Sequence, residues 1–161
     1  MLALILSDSH GNIEPMRLAA ERTKPNAILH LGDCWRDVAT LEKLYPTIPF
    51  YQVAGNCDYT FLLPRTQTIT LEGHRITLTH GDQQGVKCSM YGVEALAREE
   101  NAELLLFGHT HLPYCDYHGS TLLLNPGSIG APRYGKPCAY ALAQLEKNQP
   151  IKTRLLDLKS S

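Results

Sequence analysis

Short apolar runs that stop abruptly at small polar loops make up most of this chain. Leu2–Leu6 is continuously apolar and reads as a strand buried on both faces. Ile13, Met16 and Ala20 then share one helical face as far as Pro25, with Asn12 placed to cap the helix and Pro15 tolerated in its first turn. Ala27–Leu31 is a second strand, and His30 within it reads as a core or interface histidine. Val38, Leu41, Leu44 and Tyr45 form the apolar face of the next helix, which Pro46 ends. Ile48–Val53 is a third strand. Strand, helix, strand, helix, strand implies right-handed crossovers and a parallel sheet.

The pattern then changes. Thr66–Leu71 and Arg75–Thr79 flank Glu72-Gly73-His74 and predict a β-hairpin, with His74 solvent-facing in the turn. Val86, Met90, Val93, Leu96 and Ala97 predict a third amphipathic helix ending near Asn101, with Met90 as core filling. Leu104–Phe107 is a strand too short to be a helix. Cys115–Tyr117 and Thr121–Leu124 pair around His118-Gly119, where His118 serves solubility. Asn125-Pro126-Gly127-Ser128-Ile129-Gly130 is a tight turn, followed by a Gly- and Pro-rich loop from Pro132 to Pro137. Ala139–Leu145 and Ile151–Leu158 make a closing hairpin around Glu146–Gln149, and Ser160-Ser161 is a short tail. No repeat, linker or low-complexity segment interrupts the run, so residues 1–161 read as one domain.

Composition narrows the class. The 161 residues are 43% hydrophobic and 19% charged, which is globular rather than disordered, and long enough for a substantial core. A net charge of -1 lacks the basic footprint of a protein that grips long nucleic acid. No apolar run approaches the roughly 20 residues needed to span a membrane. The apolar start has no basic flank, so it reads as a first strand and not as a signal peptide. Five scattered cysteines, odd in number and without a C-x-x-C pair, argue against a disulfide scaffold or structural zinc and fit reduced thiols in the cytoplasm.

The chemistry gathers at strand ends. Asp8 and His10 follow the first strand, Asp33 the second, Asn56 the third, His80 the hairpin's return strand, and His109 and His111 the Leu104–Phe107 strand. Each alone has a bland reading as a cap, a turn or a surface histidine. Parallel sheets, however, bind ligands beyond the carboxyl ends of their strands. Two carboxylates, an amide oxygen and four imidazoles exceed what one ion takes from a protein and suit two divalent ions held close together, with Asp33 between them. Arg133 reads either as part of a surface connection or as the wall of the site, placed for an anionic group.

In order along nearly the whole chain stand Asp8-Ser9-His10, Gly32-Asp33, Gly55-Asn56-Cys57-Asp58, His80-Gly81 and Gly108-His109-Thr110-His111. This series resembles the calcineurin-like metallophosphoesterases. Small size, Cys57 and the Asn125–Ser128 turn resemble the minimal single-domain phosphodiesterase branch of bacteria and archaea. The resemblance implies an α/β fold, a four-layer αββα sandwich of two mixed sheets flanked by helices. It implies that Asp8, His10 and His111 hold one metal, that Asn56, His80 and His109 hold the other, and that Asp33 holds both. Mixed nitrogen and oxygen ligands admit Mn, Fe, Zn, Ni or Co, and the resemblance points to Mn for activity. The implied reaction is hydrolysis of a small phosphodiester by a hydroxide on the metal pair, with Asp33, Asn56, Cys57 and Asp58 at the catalytic centre. Asp58 would orient a ligand histidine, His10, from behind.

Two positions depart from the pattern. Cys57 stands where most larger relatives carry a histidine that assists the leaving group. A thiol is a poor acid for that task, so Cys57 either restricts the enzyme to good leaving groups or only shapes the pocket. Asp82 stands where this branch often has a second histidine and makes that wall more acidic. Other uses of the fold remain open: a protein-binding scaffold, as in a eukaryotic endosomal coat complex, or a phosphomonoesterase or nuclease. The substrate and the oligomeric state are not legible in these residues.

Overall fold

A computed structural model describes residues 1–159; the Ser160-Ser161 tail lies outside the described residues. The chain runs β1 (Leu2–Leu6), α1 (Ile13–Thr23), β2 (Ala27–His30), α2 (Trp35–Leu44), β3 (Phe50–Gln52), β4 (Thr66–Leu71), β5 (His74–Thr79), α3 (Tyr91–Glu99), β6 (Leu104–Leu106), β7 (Pro113–His118), β8 (Thr121–Pro126), β9 (Ala139–Gln144) and β10 (Lys152–Asp157). These strands form two mixed five-stranded sheets, ordered β10-β9-β1-β2-β3 and β4-β5-β6-β8-β7. In the first, β1, β2 and β3 are parallel, with β9 and β10 antiparallel at one side. In the second, β5, β6 and β8 are parallel and β4 and β7 close the two edges antiparallel.

The continuous apolar runs follow from burial on both faces. Ala3, Ile5 and Leu29 point into the layer between the sheets, where they meet Ile76, Leu78, Leu104, Leu106, Leu122 and Leu124. Leu4, Leu6 and Ile28 point the other way, against Met16, Ala19 and Ala20 of α1 and Val38 and Leu41 of α2. On the far side, Val93 and Ala97 of α3 cover Leu105 and Leu123. The result is the expected αββα sandwich. Among the described residues, no helix is long and apolar enough to cross a membrane.

Several local expectations are corrected. The first hairpin turn is only Glu72-Gly73, both at positive φ, as a two-residue turn between twisted strands requires. His74 therefore opens β5 and is buried at 6% exposure, its Nδ1 2.9 Å from a Glu103 carboxylate oxygen and its Nε2 3.0 Å from the Glu146 carbonyl. His118 is likewise not a free surface group: it sits between Glu94 and the Tyr114 hydroxyl, 2.6 Å from each. The third helix begins at Tyr91, because Gly81 and Gly85 take positive φ and residues 82–88 run as turns; Val86 joins the core from that loop. Asn12 occupies the N-cap position of α1 without a capping side-chain bond; its Nδ2 instead donates to the Gly130 carbonyl at 3.4 Å.

Candidate metal centre

Asp8 and His10 lie just beyond β1, Asp33 beyond β2, Asn56 beyond β3, His80 beyond β5, and His109 and His111 beyond β6. Parallel pairing brings all of these strand ends to one side of the sandwich. The backbone there is bent sharply: Asp8, His10, Asp33, Cys34, His109 and His111 all have positive φ, a conformation uncommon for residues with a Cβ. Gly108 permits a close approach to the loop after β1. A Cβ at that position would collide with Ser7 Oγ and lie 2.8 Å from Asp8 Oδ2.

Asp8 is fully buried, and one of its oxygens is fully used. Oδ2 accepts from Ser7 Oγ at 2.5 Å and from the His109 N–H at 3.1 Å. Oδ1 has no hydrogen-bond partner and faces His111 Nε2 at 3.1 Å. His111 Nδ1 lies 2.7 Å from the Ala131 carbonyl, so it is the protonated nitrogen and Nε2 presents a lone pair. His80 repeats the arrangement. Its Nδ1 donates to the Leu31 carbonyl at 2.7 Å, and Nε2 faces Asn56 Oδ1 at 3.1 Å, His109 Nδ1 at 3.2 Å and Asp33 Oδ2 at 3.4 Å. His10 Nε2 lies 3.3 Å from His111 Nε2 and 3.6 Å from Asp33 Oδ2. Asp33 Oδ2 thus stands between the His10–His111 group and the His80–His109–Asn56 group.

Acceptor atoms packed this closely repel one another unless a cation lies among them. The titration behaviour agrees. Burial raises the Asp8 carboxyl, but the neighbouring His111, His80 and Ser7 outweigh it and leave it lowered. Burial also opposes ionisation of Asp33, yet His80 and the Cys57 N–H hold it well below the usual carboxylate range. His80 is raised despite burial by Asp33 and Asp8, and His111 is raised by Asp8. His109 is lowered by burial and by His80. Buried anions beside fixed imidazole lone pairs are the donor set of a divalent metal, and the sub-clusters Asp8–His10–His111 and Asp8–Asp33–His80 each place ligand atoms within 4.8 Å of one another.

Asp58 does something other than orient His10. Its Oδ2 accepts the N–H groups of Asp33 and Gly55 at 2.9 and 2.8 Å, and its Oδ1 those of Cys34 and Trp35 at 2.7 and 3.0 Å. One carboxylate therefore ties the loop after β2 to the loop after β3. The Cys57 N–H donates to Asp33 Oδ1 at 2.9 Å, and its thiol lies within ligand range of His10 and Asp33. Burial first, then Asp33, pushes that thiol up to about 11. Asp82 does not leave the wall acidic, because it is ion-paired with Arg65, whose other nitrogen donates to the Gly55 carbonyl at 2.6 Å. Arg133 lies in the exposed loop after Ala131, and its charge opposes protonation of His111. His30 is a core histidine as expected, pushed down to about 4 by burial, with Nδ1 accepting the Gly32 N–H at 3.3 Å.

Two residues of the Asn125–Ser128 turn, which the sequence marked without giving them a role, support the centre. Ser128 Oγ donates to the Asp8 carbonyl at 2.8 Å, and Asn125 Nδ2 donates to the Gly108 carbonyl at 2.8 Å. Both are fully buried polar side chains that follow an apolar strand.

Known proteins with this arrangement are easily found. A probable metallophosphoesterase of Bacillus subtilis, YsnB, is 33% identical over 92% of this chain and 86% of its own length. Phosphodiesterase YfcE of Escherichia coli is 35% identical over 56% of this chain and 50% of its own. Vacuolar Protein Sorting 29 of Cryptosporidium parvum superposes with a TM-score of 0.83 at 22% identity, over 99% of this chain and 92% of that one, a likeness of fold. The calcineurin-like phosphoesterase superfamily domain matches residues 1–148. With that match over residues 1–148 and the likeness to YsnB, the chain belongs to the calcineurin-like phosphoesterase superfamily.

Proposed function

We propose that this chain is a metal-dependent phosphodiesterase that hydrolyses a small phosphodiester with two divalent ions. The observation that carries it is Asp33 Oδ2, 3.6 Å from His10 and 3.4 Å from His80, shared by two ligand groups. Asp8, His10 and His111 would hold one ion, Asn56, His80 and His109 the other, and Asp33 both. When bound, such ions neutralise an anionic ester and acidify water at neutral pH; manganese suits the mixed nitrogen and oxygen donors.

The chain's own residues contribute positioning and charge. Asp33 stays ionised, with the Cys57 N–H fixing its other oxygen. The Ala131 and Leu31 carbonyls fix the tautomers of His111 and His80, so both rings present Nε2 to the centre without rearrangement. Arg133, whose charge is felt at His111, would receive a non-bridging phosphoryl oxygen by charge. The Cys57 thiol, protonated at neutral pH and weakly acidic, gives little help to a departing alkoxide. Diesters with stable leaving groups are favoured. The E. coli relative's description as a phosphodiesterase supports the diester over the monoester. A protein-binding use of the fold ranks lower: the ligand set is complete, and the exposed apolar Tyr59, Phe61 and Leu62 lie on the loop beside the centre, not apart from it.

The test is hydrolysis of bis(4-nitrophenyl) phosphate beside 4-nitrophenyl phosphate, with protein stripped of metal and reloaded with each divalent ion. Metal-dependent cleavage of the diester, abolished in Asp33→Asn, is expected. Folded, metal-loaded protein that cleaves neither ester would overturn the reading in favour of a scaffold.

A further inference from the structure

A cavity of about 370 Å³ opens directly beside the metal centre, lined by His10, Cys34, Trp35, Arg36, Cys57 and Tyr59. His10 and Cys57 are shared with the centre itself, so a phosphoryl group held there would direct one ester arm into this space. Two walls are aromatic. Trp35 is the only tryptophan of the chain, and the Arg36 guanidinium lies over its ring, 5.7 Å from the centroid. Tyr59 also lines the cavity and is 98% exposed. An aromatic ring so fully exposed has lost the hydrophobic reason for its presence and offers a free π-face.

The backbone that carries the two rings is tied together before any substrate arrives. Trp35 begins α2 on the loop after β2, Tyr59 follows the loop after β3, and the Asp58 carboxylate binds the N–H groups of Cys34, Trp35, Asp33 and Gly55 across that gap. A preorganised slot with aromatic sides and one delocalised cation suits a flat, polar-edged ring better than an alkyl chain or a sugar alone. Its size fits one nucleoside, at the lower end of small-molecule sites. The net charge of -1 argues against a polymer following it.

We infer that the slot between Trp35 and Tyr59 binds the nucleobase of a nucleoside arm, making the substrate a small nucleoside phosphodiester. This rests on the phosphodiesterase reading and specifies its substrate. The base would stack on the aromatic walls, with the Arg36 guanidinium at its edge.

The experiment compares two diesters that share a 4-nitrophenolate leaving group, one retaining thymidine through its 5′ oxygen and the other retaining ethanol, on the manganese-loaded protein. A kcat/KM about tenfold or more in favour of the thymidine diester is expected from base stacking. Trp35→Leu and Tyr59→Leu should each collapse that ratio, and Trp35→Phe should keep most of it, which separates stacking from a folding defect. Independently, thymidine 5′-monophosphate should quench the fluorescence of the single tryptophan in a saturable way, more than inorganic phosphate does. Equal kcat/KM for the two diesters, with no quenching, would overturn the inference while leaving the phosphodiesterase reading standing. Quenching by the nucleotide with neither diester cleaved would overturn the phosphodiesterase reading and leave the nucleoside slot.

Discussion

His111 Nε2 and Asp8 Oδ1 face each other at 3.1 Å, and neither brings a hydrogen to the contact. The ring's proton is committed to the Ala131 carbonyl, and Asp8 is an anion. A buried pair of acceptors is stable only when a proton or a metal ion is supplied from outside. Metal binding should therefore be folding free energy for this protein. Free Mn²⁺ at 100 times its Kd adds about 2.7 kcal/mol, or roughly 5–10 °C in Tm for a chain of this length. Thermal unfolding of chelated and titrated protein reads this directly, and Asp8→Asn should abolish the response. A Tm indifferent to every divalent ion would refute the metal assignment.

Asp58 binds four backbone N–H groups from two loops and is buried. Replacement by Ala leaves those donors without their acceptor, each worth about 1–3 kcal/mol when buried and unpaired, so a loss of roughly 3–5 kcal/mol is expected after partial hydration. Urea unfolding of metal-free Asp58→Ala measures it. Because Asp33 sits on one of the released loops, the same variant should also bind metal at least tenfold more weakly. A stable variant with intact metal affinity would contradict the clamp.

The Cys57 thiol is pushed up to about 11, first by burial and then by Asp33. It stays protonated around pH 7 and is too weak an acid to matter for a nitrophenolate. Cys57→Ala should keep kcat for bis(4-nitrophenyl) phosphate within about tenfold of the parent, the range that general acid catalysis would exceed. Steady-state kinetics would show a fall of a hundredfold or more if the thiol acts as the acid.

His74 and Glu103 form a pair away from the centre, 2.9 Å apart. The Glu103 hydrogen bond raises the His74 ring above 6.5, and the same bond lowers the Glu103 carboxyl below 4.5. The raised histidine contributes stability below pH 6.5 that is lost as pH climbs through its folded value. The lowered carboxyl contributes above pH 4.5 and is lost as pH falls through its own folded value. Both are present together between about pH 4.5 and 6.5. The Tm difference between the parent and Glu103→Gln should accordingly be larger at pH 5.5 than at pH 8.5; a gap that ignores pH would dispose of the linkage.

The strands and the seven polar residues at their ends were legible without coordinates, and the reason is local. A strand buried on both faces must be apolar at every position, so Leu2–Leu6 and Leu104–Phe107 declare themselves, and a polar residue just past such a strand has little structural excuse. The order of elements therefore determined the parallel character of the first three strands and put Asp8, His10, Asp33, Asn56, His80, His109 and His111 at strand ends, while the αββα layering came from the resemblance of the motif series to a known family. Only the tertiary structure decided what the remaining polar residues do. Asp58 ties backbone across two loops, Asp82 pairs with Arg65, His74 reaches Glu103, His118 bridges Glu94 and Tyr114, and Trp35 faces a cavity with Tyr59. Most of those contacts join residues 17 to 29 apart through side-chain directions, or depend on a two-residue turn that shifts His74 from loop to strand. Hydrophobic periodicity records which face of an element is buried, and it carries no information about which polar group on another loop will meet it.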